Sequence, residues 1–149
     1  MRILGLDYGD RRIGLALSDE SGLVAQGLTT LVRRNRRQDM QFLASIMETY
    51  RIGRVVIGYP LRTDRTEGIQ CEKVRRYARL LERTFQLPVV CWDETFSTKE
   101  AEEMMSRMGV NRARHKQAVD RIAASVILQG YLDHADRGAR QPPIPEGSL

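Results

Sequence analysis

The first fourteen residues, MRILGLDYGDRRIG, constrain the fold more than any other stretch. Ile3, Leu4 and Leu6 form an apolar run that ends on the carboxylate of Asp7, Gly9 follows, and a second apolar run covers residues 13–17. Such runs around a short polar turn predict a buried strand, a tight turn and a returning strand. Asp7 then stands where a strand leaves the core. Two readings are open: an Asp beside a Gly that shapes a turn, or a rigidly held carboxylate available to a divalent cation. In the second reading, the missing Cβ of Gly9 leaves the backbone approachable by a metal ion or phosphate.

The rest of the chain sets these strands in a layered fold. Residues 24–31 suit a third antiparallel strand. Asn35 is placed to cap a helix in which Met40, Leu43, Met47 and Tyr50 recur at helical spacing. RVVIG, residues 54–58, reads as a central strand covered on both faces, and the polar loop 61–68 follows its C-terminal end. An amphipathic helix is predicted over 69–85, with Val74, Ala78, Leu81 and Phe85 inward and Arg75, Arg76, Arg79 and Arg83 outward. Residues 88–92 form the next strand, ending in Asp93-Glu94. Ser97 to Glu100 has capping-box spacing and opens a helix that runs to Gly109. Residues 110–117 read as basic and irregular, and a last helix covers 118–133. The expected class is α/β: a mixed five-stranded sheet, three antiparallel strands and then two parallel ones, with helices on both faces and right-handed crossovers. One domain is expected over residues 1–136, followed by a disordered tail, 137–149, with three prolines and two glycines.

Three acids draw attention. Asp7 ends the first strand, Glu94 follows the last, and Asp120 opens the last helix. Ala123, Ala124 and Ile127 share the helical side of Asp120, so that side faces protein, and the small alanines allow close approach to the sheet. An acid near a helix N-terminus also interacts well with the helix dipole, which leaves a plain capping role open. Carboxylates gathered at one sheet edge repel unless a cation sits among them. Oxygen-only ligands favour magnesium or manganese, the ions that activate water against a phosphodiester. His115 and His134 are isolated in sequence, and Cys71 and Cys91 lack metal-ligand spacing.

Charge agrees with a polyanionic partner. The net charge is +5, and of 24 basic residues only Lys73, Lys99 and Lys116 are lysines. Arginine offers phosphate a bidentate fork. The cluster Arg33-Arg34-Asn35-Arg36-Arg37 is either a solvated loop or a contact to a nucleic-acid backbone. Arg11, Arg12, Arg112, Arg114 and Lys116 are the cations expected nearest a substrate. No apolar run approaches the ~20 residues of a membrane span, and the N-terminus lacks a signal-peptide pattern; a cytoplasmic location without a membrane partner is expected. Oligomeric state is not legible.

GLDYGDRRIGLALSD (residues 5–19), VVIGYPL with TEG (within 55–68), PVVCWDETFST (88–98) and VDRIAASVILQGYLD (119–133) together resemble the YqgF family, also called RuvX-like or Holliday-junction-resolvase-like. The resemblance spans residues 1–133 in order. It implies an RNase H-like fold related to the RuvC resolvases. It also implies a bacterial cytoplasmic nuclease that matures the 5′ end of the small-subunit ribosomal RNA precursor. The implied acidic site is Asp7, Glu94 and Asp120 with a divalent metal, Mg2+ or Mn2+, and strand alternation would turn Asp93 away from it. Two departures stand out. Thr95 replaces the Arg that usually follows the Glu, and Asp64-Arg65 replaces the usual Asp-Gly. Arg65 is the expected substitute for the missing guanidinium.

The implied substrate is structured RNA, with the immature small ribosomal subunit as a partner. A resolvase acting on branched DNA with the same acids is the second reading. A non-catalytic nucleic-acid-binding or transcription-associated module is a third, marked by salt-sensitive binding without metal-dependent turnover. An actin-like phosphotransferase fits poorly, because it needs two domains around a nucleotide.

Overall fold

The computed structural model describes residues 1–60, 68–93 and 112–136. Five strands form one sheet: β1 Arg2–Asp7, β2 Arg12–Ser18, β3 Ala25–Val32, β4 Ile52–Tyr59 and β5 Val89–Asp93, in the order β3-β2-β1-β4-β5. β2 is antiparallel to both β1 and β3, while β1, β4 and β5 run parallel. The C-terminal ends of β1, β4 and β5 therefore share one edge. Among the described residues, three helices pack on the sheet: α1 Arg36–Thr49, α2 Ile69–Phe85 and α3 Arg112–Asp136.

The two sheet faces bury different partners. Leu4 and Leu6 of β1, Ile13 and Leu15 of β2, and Val55, Ile57 and Tyr59 of β4 form the larger core with Leu43 of α1 and Val74 and Leu81 of α2. Ala16, Val56, Val90 and Trp92 face α3 and pack on Ala124, Ile127 and Leu128. Period-two alternation makes this division possible.

The described strands and helices fall where the apolar patterning places them, with one correction. Residues 112–117, expected to be irregular, are the opening turns of α3. The stretch holds neither glycine nor proline and is built from residues of fair helix propensity. Asp120 therefore lies more than two turns inside the helix, beyond reach of an N-terminal capping role. Asn35 caps α1 as expected, its side chain accepting the Gln38 N–H at 2.8 Å. Arg75, expected to face solvent, instead donates to the hydroxyl of the fully buried Tyr59 at 2.7 Å. The expected helix 97–109, the loop 61–67 and the tail 137–149 lie outside the described residues. Among the described residues, no helix is long and apolar enough to cross a membrane.

Candidate active site

Asp7 is the last residue of β1, the central strand, and its cross-strand partner on β2 is Gly14. Paired Cα atoms of this kind stand about 5 Å apart. Ile3 and Gly5 of β1 face α3, so alternation puts Asp7 on that face as well. Gly14 is where α3 comes nearest: a Cβ there would overlap the carbonyl oxygen of Asp120. The missing side chain thus lets the helix backbone rest on the sheet beside Asp7. Gly5 repeats the device one turn further along, with Ala124 and Leu128 above it. Of the three acids expected in the site, Asp7 and the Asp120 backbone thus both stand beside Gly14.

Arg12 completes this arrangement. It lies two residues before Gly14 on the same face of β2, and its Nε donates to Asp120 Oδ2 at 2.7 Å. The pair is largely shielded, with side-chain exposures of 32% and 17%. Arg12, expected to meet substrate, is thus engaged with a site carboxylate. Arg11 is exposed and its carbonyl accepts the Arg33 N–H at 2.9 Å. Glu94, Thr95 and Arg65 lie outside the described residues, as do the side chains of Arg112, Arg114 and Lys116. Trp92 packs toward α3, and alternation turns Asp93, the last residue of β5, to the other face. Among the described residues, no three His, Cys, Asp or Glu side chains group closely enough to hold a metal ion.

The turn after Asp7 is held from the other side of the sheet. Arg33 donates from Nη1 to the Tyr8 hydroxyl at 2.9 Å and to the Gly9 carbonyl at 3.1 Å. Its guanidinium lies 5.0 Å from the Tyr8 ring centroid and 5.2 Å from that of Tyr77. Its Nε reaches the buried carboxylate of Asp39 at 3.8 Å. Gly9 also meets a steric demand: the space for a Cβ is filled by the Arg12 carbonyl, so its lack of a side chain closes the turn. Sequence reasoning placed Arg33 in an undivided basic cluster. Asp39 lies close by on α1, but the other partners that single Arg33 out come from the turn after β1 and from α2, and no local pattern links those to it. His134, expected as an isolated surface residue, rests its ring 5.1 Å from Trp92.

The family model described as "RuvX: Holliday junction resolvase" matches residues 1–134. The chain belongs to the RuvX family. It is 60% identical over 133 residues to a protein of Syntrophus aciditrophicus named "Putative pre-16S rRNA nuclease", covering 89% of each chain. A protein of the same name from Halothermothrix orenii is 39% identical over 137 residues, covering 92% of this chain and 98% of the other. Among solved structures, T. thermophilus RuvC in complex with Holliday junction substrate is similar, with a TM-score of 0.55, 17% identity, and coverage of 97% of this chain and all of that one. At that identity the likeness is one of fold, and the RuvX chain has the RNase H-like architecture expected from its sequence.

Proposed function

We propose that this RuvX chain is a metal-dependent nuclease that hydrolyses phosphodiester bonds in the precursor of small-subunit ribosomal RNA, maturing its 5′ end. The observation that carries this reading is the convergence of Asp7 and Asp120 over Gly14. Its support from relatives is the name borne by proteins up to 60% identical to it.

The donor chemistry fits a hard divalent cation. Both acids offer only carboxylate oxygens, and the side chains present suit magnesium or manganese far better than a softer metal. Asp7 and Asp120 would hold the ion with Glu94, which in sequence stands two residues after the α3-facing Trp92. A cation held there supplies charge neutralisation at the scissile phosphate and a more acidic water. The protein's own part is positional. β1, paired on both sides, fixes Asp7, and Arg12 orients the Asp120 carboxylate and balances its charge until a cation shares it. Arg11 and, from beyond the described residues, Arg65, Arg112, Arg114 and Lys116 would contact substrate phosphates.

The test is purified protein and precursor ribosomal RNA, with and without Mg2+ or Mn2+, beside Asp7→Asn. Cleavage that requires the ion and vanishes in the variant supports the proposal. Cleavage that persists in Asp7→Asn removes Asp7 from the chemistry. Immature small subunits offered as substrate show whether the assembled particle is needed. The resolvase description of the family favours one second reading, a nuclease for four-way DNA junctions. A junction cut in preference to the RNA would establish it.

A further inference from the structure

A groove of about 750 Å³ lies on the sheet face away from α3, between the start of α1 and the length of α2. Its lining is strongly one-sided in charge: seven cationic side chains against the carboxylates of Asp10 and Asp39. Both carboxylates are engaged, Asp39 with Arg33 at 3.8 Å and Asp10 with Lys73 at 3.1 Å. Among the described residues, Arg34, Arg36, Arg79 and Arg83 pair with no carboxylate, and all four are exposed. Like charges so close repel in the free protein and are relieved by a polyanion.

The groove has direction. Tyr8 and Asp10, close after Asp7 in the chain, line it. The ends of β1 and β3 and the starts of α1 and α2 meet at that edge of the sheet. From there Lys73, Arg76, Arg79 and Arg83 follow one another along α2 at steps of three and four residues, one stripe of the helix. Lys73 to Arg83 rises about 15 Å, long enough to follow more than one phosphate of a strand. Tyr77 lines the same groove, is 6% exposed, and among the described residues its hydroxyl has no hydrogen-bond partner.

We infer that this groove binds the phosphodiester backbone of the nucleic-acid substrate, carrying the strand over the Tyr8–Asp10 turn and along α2 away from the Asp7–Asp120 site. The inference rests on the nuclease reading for the identity of the strand. The chemistry is sequence-independent: point charges and guanidinium forks spaced along a backbone.

The test is the equilibrium binding of labelled precursor RNA to Arg79→Ala/Arg83→Ala on one wall and to Arg34→Ala/Arg36→Ala on the other. Binding is read in chelator across a salt series, so that it does not depend on cleavage. Each pair is expected to weaken binding about tenfold near 0.1 M salt and to flatten the dependence of log K on log salt by about 1.4, the value for two lost phosphate contacts on a single strand. RNA carrying 4-thiouridine is expected to crosslink to peptides of α1 and α2. Unchanged affinity and salt slope in both folded pairs, or crosslinks confined to the α3 side, would overturn the inference. The two readings fail separately. If the wild type binds through this groove yet cuts nothing with metal, the nuclease proposal falls and the groove stands. If it cuts RNA while both pairs bind like the wild type, the groove falls and the nuclease stands.

Discussion

Arg12 and Asp120, 108 residues apart, are joined by a 2.7 Å hydrogen bond from Nε to Oδ2 across the β2–α3 contact. The pair ties the last helix to the first hairpin at the point where the site is proposed. Removing one partner leaves the other charge partly shielded from water, which costs more than the loss of a surface pair. Arg12→Gln is expected to lower stability by about 1–2 kcal/mol, read as a shift of the urea midpoint at unchanged slope. Asp120→Asn is expected to cost a similar amount and also to reduce metal-dependent cleavage by at least about a hundredfold, as loss of a group acting at the reacting centre does.

Gly14→Ala tests the seat of α3. A methyl there meets the Asp120 carbonyl, so the helix must lift or the strand must shift. The expected loss is about 3 kcal/mol or more, in the range of forced overpacking. Gly5→Ala meets Leu128 Cβ at 2.8 Å, a milder overlap than that with the Asp120 carbonyl at Gly14, and should cost less. Thermal unfolding of the two variants side by side gives the order, and equal losses would contradict the geometry.

Arg33 is expected to matter through shape as well as charge. Its fork donates to Tyr8 and Gly9, and its plane lies against two tyrosine rings. Arg33→Lys keeps the charge but loses the fork. Both Arg33→Lys and Arg33→Ala should destabilise the protein, by about 1–2 and about 2–4 kcal/mol respectively. Faster hydrogen exchange at residues 8–11 would locate the damage at the turn after Asp7. A lysine variant as stable as the wild type would show that charge alone suffices.

Alkaline pH should weaken the fold through Cys91. Burial pushes its thiol up to about 12 from 9.0. The folded state then keeps a proton that the unfolded chain gives up. The associated stability is complete below pH 9, falls as pH rises, and is gone once pH passes about 12. Burial also raises Tyr77, whose ordinary value is 10.0, in the same direction. Cys91→Ala should flatten the decline of unfolding free energy between pH 9 and 11 relative to the wild type. An identical slope would exclude the thiol as its source.

The sequence was most readable where spacing and burial coincide. Alternation in β1 and β2, the Asn35 cap and the three-four-seven spacing from Asp120 to Ala123, Ala124 and Ile127 each follow from local rules, and each corresponds to a feature of the fold. The start of α3 was missed because charge density in 110–117 resembles a loop, although helix propensity does not depend on net charge of one sign. The Arg12–Asp120 pair and the clasp of Arg33 between Tyr8 and Tyr77 were illegible for another reason. They join segments distant in sequence, and nothing in either segment names its partner. The groove was half legible: both arginine-rich stretches were visible, but their convergence depends on α1 and α2 covering the same face of the sheet.

Three early strands each present a glycine to α3: Gly5 under Ala124 and Leu128, Gly14 under Asp120, and Gly27 under Arg121. The seat is thus laid down in the first 27 residues, while its occupant begins only at Arg112. The two can meet only by closing a long loop of chain. Detachment of α3 alone would therefore carry Asp120 away from Asp7 while leaving the sheet intact.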